Sequence, residues 1–108
     1  MPKILYTVRA TLPTVQWRGR FLSWLVPDHV LAVKAGGAEA VRVVLPDRAG
    51  ESAPATVETQ YVFPSRKGFE IYLRDHAPAL RADGLRHFPP ETGISYERQV
   101  AEVAAELD

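Results

Sequence analysis

Strict alternation opens the chain. Over residues 4–12, Ile4, Tyr6, Val8, Ala10 and Leu12 share one face, and Leu5, Thr7, Arg9 and Thr11 share the other. A period of two over that length predicts a β-strand with one apolar and one mixed face. The period then changes. After Pro13, the residues Trp17, Phe21, Trp24 and Leu25 recur at helical spacing, with Thr14 as the expected N-cap. Pro27 lacks an N–H and clashes with the preceding turn, so a break is expected there. Asp28 is placed to cap a second short helix carrying His29, Val30 and Val33, and Gly36-Gly37 to end it.

Alternation returns at 39–45, through Val41, Val43 and Leu45. It returns again at 55–63, where Val57, Thr59, Tyr61 and Phe63 oppose Glu58, Gln60 and Val62. The polar stretch 46–54 between them reads as an exposed hairpin loop. Ser65 is expected to cap a second helix whose stripe is Phe69, Tyr72, Leu73 and His76. Pro78 interrupts that helix, and 79–82 is expected to add one turn, closed by Asp83-Gly84. Pro89-Pro90 is a firm stop. Residues 94–103 supply a last strand through Ile94, Tyr96, Arg98 and Val100, its facing phase left open, and 104–108 form a frayed end.

The order is β-α-β-β-α-β, which predicts an α+β, ferredoxin-like domain spanning 1–108. Right-handed crossovers put both broken helices on one face of a four-stranded antiparallel sheet. The other face then carries Leu5, Thr7, Arg9, Arg42, Val44, Glu58, Gln60 and Val62. One reading is a solvated sheet surface. The other is a homodimer formed through this open face, with Arg9, Arg42, Glu58 and Gln60 in the contact. Buried Arg9 and Arg42 would then need partners such as Glu58.

Composition narrows the function classes. Apolar residues make up 46%, enough for a core without a staple. Thirteen basic residues balance 13 acidic ones, so the basic excess of a nucleic-acid binder is absent. With no cysteine, disulfides, thiolate catalysis and cysteine-held metals are excluded. The three histidines fit no helical metal spacing, so no metal and no cofactor are expected. No signal segment or spanning apolar run is visible, and the expected setting is cytoplasmic, away from membranes.

Candidate chemistry gathers at the helix breaks. His29 follows Pro27, where a side chain can point into a cleft and act as general base; the competing reading is a structural histidine. Arg81 could hold an anion or tie a loop, and Tyr61 could steady developing negative charge. Trp24, Tyr6, Tyr72 and His76 are candidate ligand-lining residues, although their spacing equally suits core packing, with His76 at the core edge.

Two segments resemble a known family. They are Tyr72-Leu73-Arg74-Asp75-His76-Ala77-Pro78-Ala79-Leu80-Arg81-Ala82-Asp83-Gly84-Leu85, and Trp24-Leu25-Val26-Pro27-Asp28-His29-Val30 followed by Gly36-Gly37-Ala38. Together they resemble the uncharacterised bacterial domain of unknown function 4286 family, with His76-Ala77-Pro78-Ala79-Leu80-Arg81 as the most specific part. The resemblance implies a dimeric α/β barrel, in which two ferredoxin-like sheets pack face to face. That wider superfamily includes cofactor-free monooxygenases, muconolactone isomerase-like enzymes, haem-degrading proteins and ligand-binding regulators. The family brings no established activity with it. The expected function is binding of a small apolar or aromatic molecule in a cleft between sheet and helices. The alternatives are a cofactor-independent monooxygenase- or isomerase-like enzyme using His29 as base, and a protein interaction module.

Overall fold

The alternating segments become strands with matching faces. The computed structural model describes residues 2–107. Its strands are β1 (Ile4–Leu12), β2 (Ala40–Val44), β3 (Ala55–Phe63) and β4 (Ser95–Glu102). They form one antiparallel sheet in the order β2-β3-β1-β4. The helices are α1 (Trp17–Trp24), α2 (Val30–Ala35), α3 (Arg66–Asp75) and α4 (Ala77–His87). The α+β ferredoxin-like expectation therefore holds.

The core lies between the sheet and the helices. Ile4, Leu12, Val57 and Phe63 are fully buried from the sheet side, and Val33, Phe21, Leu25, Phe69 and Tyr72 meet them from the helix side. Each large side chain so buried contributes roughly 1.5–3 kcal/mol. Register settles the phase of β4. Ala10 pairs with Tyr96, Val8 with Arg98 and Tyr6 with Val100, so these β4 residues share the helix-facing side.

Both helical arms break near a proline, but not as the local signals suggest. In the first arm a wide turn, Leu25–His29, separates α1 from α2, and Val26 is extended inside it (φ −122°, ψ 126°). A residue before proline is pushed out of the helical region by the proline ring. The Val26–Pro27 peptide is cis. The two expected caps are not used. Gln16, not Thr14, precedes α1, and neither α1 nor α2 has a side-chain cap. Gln16 and His29 already have helical backbone there, whereas a side-chain cap needs an extended residue. Ser65 does meet that condition: it is extended, and its hydroxyl accepts from the Gly68 N–H at 3.1 Å.

In the second arm the break falls at His76, and Pro78 sits in the first turn of α4, where a missing N–H costs nothing. α4 then runs 11 residues, to His87, instead of one turn closed at Asp83-Gly84. The glycine sits beside the first arm: a Cβ on Gly84 would stand 3.4 Å from the Trp24 ring, in ordinary contact with it. Beyond β4, residues 103–107 have no regular structure, and Asp108 lies outside the described residues.

The sheet face away from the helices is ordered in rows. Ala40, Val62, Leu5 and Ala101 are aligned across all four strands by register. Arg9 Nη2 lies 3.6 Å from Glu58 Oε1, the latter side chain only 17% exposed. Arg42 takes a different partner from the one expected. Its Nε and Nη2 donate to Gln60 Oε1 at 3.2 and 3.0 Å. Among the described residues no helix is long and apolar enough to cross a membrane.

Candidate functional site

A cavity of about 250 Å³ lies between the sheet and the helices. It exists because small residues stand where large ones would close it. Ala10 lies on its floor and Gly84 on its roof. The first arm contributes Phe21, Trp24, Leu25 and His29, and α4 contributes Leu80, Arg81 and Leu85.

Four of the candidate residues meet around Tyr6. Arg81 Nη2 donates to the Tyr6 hydroxyl at 3.1 Å. The Tyr6 ring lies 6.0 Å from that of Tyr61 and 6.2 Å from that of Tyr72, and all three line the cavity. Burial holds the Tyr61 hydroxyl far above the usual phenol range, reinforced by Tyr72 and Tyr6, with Thr59 pulling weakly the other way. Burial likewise pushes Tyr72 to about 12, against the opposing charges of Arg81 and Arg98. Both phenols are therefore neutral donors at physiological pH, not nucleophilic anions.

Two more candidates meet elsewhere on the wall. The His29 ring lies over Trp24, with centroids 4.2 Å apart and planes at 31°. The Trp24 Nε1–H donates to Asp83 Oδ2 at 3.2 Å. That hydrogen bond is the main cause holding the Asp83 carboxyl below the ordinary range, with Arg86 adding to it. His29 Nδ1 is buried without a partner among the described residues. Burial lowers the His29 pKa below its ordinary value, partly offset by the charge of Asp83. The ring is thus neutral near pH 7.

His76 is not part of this wall. The break that ends α3 leaves it exposed outside the cavity, its ring parallel to Tyr72 at 6.4 Å and its Cγ 3.0 Å from the Cβ position of Gly36. Asp83 and Arg98 belong to the site although the sequence did not single them out. Asp83 reads locally as a helix stop, and Arg98 could be assigned only once the β4 register was known. Among the described residues no group of three or more acidic, histidine or cysteine side chains could hold a metal.

Solved structures share this architecture. One is a dimeric ferredoxin-like protein from an uncultured marine organism: 19% identity over 99% of this chain and 100% of that one, TM-score 0.67. Another is described as a putative antibiotic biosynthesis monooxygenase from Bacillus cereus: 10% identity over 100% and 99%, TM-score 0.69. A third is a variant of SnoaB, a cofactor-independent oxygenase from Streptomyces nogalater: 13% identity over 99% and 98%, TM-score 0.69. At such identities the likeness shows the fold alone, which is that of the dimeric ferredoxin-like proteins. No protein-family profile and no curated protein matches the sequence, so the resemblance to domain of unknown function 4286 rests on its own residues.

The lowered His29 pKa has a consequence for stability. The unfolded chain binds a proton at His29 more readily than the folded one does. The contribution is complete above the ordinary value of 6.5 and is lost as pH falls from there toward the folded pKa. Melting at pH 7.5 and pH 5.5 should therefore show a larger drop for the wild type than for His29→Gln. An equal drop in both would mean that His29 is solvated.

Proposed function

We propose that the chain binds a small aromatic molecule in the cleft between sheet and helices, and does so as a homodimer. The observation that carries the binding reading is the cavity itself. Its walls are aromatic and aliphatic, and its polar groups are few, neutral or cationic, and convergent. An apolar cavity of about 150 Å³ already takes benzene, so this one suits a one- or two-ring molecule. A one- or two-ring aromatic at a hundredfold its Kd should stabilise the fold by about 2.7 kcal/mol, raising the melting temperature roughly 10–20 °C. Leu80→Trp, which fills the cavity from α4, should abolish the rise. A panel of such compounds that leaves the wild-type melt unmoved removes this reading.

His29 favours a second reading, cofactor-independent catalysis with His29 as general base. A neutral imidazole among the cavity-lining side chains supports a base role toward a bound substrate. The oxygenase fold of SnoaB adds analogy only. In this reading His29→Gln lowers turnover of a bound aromatic, followed by oxygen uptake or product mass, at least about 100-fold. Binding stays within a few-fold. Unchanged turnover removes His29 from the chemistry.

The dimer is supported by the open sheet face. The row Ala40–Val62–Leu5–Ala101 offers apolar area, and the cations beside it already have partners in Glu58 and Gln60. Burial against a second copy would leave Arg9 charge-paired with Glu58, while Arg42 would keep its hydrogen bonds to the neutral Gln60 oxygen. Light scattering should give twice the chain mass at micromolar concentration. Glu58→Arg, which sets like charge beside Arg9, should shift it to one chain mass.

A further inference from the structure

The cavity wall carries positive charge and no negative charge. Arg81 and Arg98 both line it, and no carboxylate does. Away from the cavity, Arg9, Arg66, Arg74 and Arg86 meet carboxylates, Arg42 meets Gln60, Arg48 meets main-chain carbonyls and Arg20 lies over the Trp17 ring, while Arg18 Nε is buried without a partner among the described residues; none of these lines the cavity. Among the described residues, neither Arg81 nor Arg98 has a carboxylate oxygen within 4.0 Å. Arg81 commits one N–H to the Tyr6 hydroxyl at 3.1 Å, a neutral acceptor, and keeps its other donors. Arg98 reaches in from the neighbouring strand. It stands opposite Val8 in register, hence diagonal to Tyr6, with its guanidinium 5.5 Å from the centroid of the Tyr96 ring. Tyr6 thus links the two cations: Arg81 bonds to its hydroxyl, and Arg98 stands diagonal to it across the β1–β4 pair. Phe21, Trp24 and Leu25 supply apolar wall to the same cavity.

We infer that the ligand is an aromatic acid, its ring system against Trp24 and Phe21 and its anionic group between Arg81 and Arg98. The inference rests on the aromatic-binding reading and adds the charge. A carboxylate or an acidic enolate presents the same chemistry here: planar, delocalised and able to take paired N–H donors. Tyr72 supplies a neutral hydroxyl on the same cavity wall, so it competes with no negative charge of its own.

Isothermal titration with 2-naphthoate and with its neutral isostere 2-naphthamide tests it. The acid should bind about tenfold or more tighter than the amide. Arg81→Gln and Arg98→Gln should each reduce that preference and leave amide binding within about twofold, which also shows that the variants are folded. Equal affinity for acid and amide overturns the charge assignment and leaves the aromatic cleft standing. Binding of neither compound at millimolar concentration overturns both. A preference that survives the double variant means that some other group reads the charge, and overturns the assignment to these arginines.

Discussion

The rest of the site depends on an indole lying against bare helix backbone. Trp24 lies against Gly84 of α4, and Asp83, one residue earlier, accepts its N–H. This one contact ties the first helical arm to the second. It also orients the surface on which His29 is stacked. Trp24 touches Phe21 and Phe88 as well, so the indole joins the cavity wall to the core rather than flanking it.

Around that joint the cavity divides by chemistry. Toward Trp24 the wall is aromatic, with a single neutral imidazole. Toward β4 it is phenolic and cationic, and the phenols are kept protonated by their own burial. In a low-dielectric pocket such an arrangement separates two tasks, gripping a flat apolar body and steadying a charge, across the width of one sheet. His29 stands on the gripping side.

The pattern alone was sufficient for β1 and β3, whose ends coincide with the alternating segments, because period two is a local property. It was insufficient for β4. Ser95, Glu97 and Gln99 oppose Tyr96, Arg98 and Val100 with no strong apolar contrast, so pairing to β1 had to decide the face. The proline at Pro27 correctly marked a break, and His29 beside it does reach the cavity, as do Trp24, Tyr6, Tyr61, Tyr72 and Arg81. Asp83-Gly84 misled for a reason. Stop signals are read from neighbours along the chain, whereas this stretch of α4 is held by Trp24, far away in sequence, whose N–H Asp83 accepts and whose ring lies against Gly84. His76 misled in the opposite way: it continues a helical stripe in sequence, but the helix ends at it.

β1 has the cavity on one side and the row of Leu5 and Arg9 on the other. Its side chains change sides at every residue, so the strand tolerates substitution and forbids a change of length. Deleting one residue between Ile4 and Ala10 would turn Tyr6 outward and bring an open-face neighbour into the cleft, exchanging the two surfaces along part of the strand. A change of length is better borne by the turn-rich loop between β2 and β3, where no strand alternation fixes which face a side chain takes.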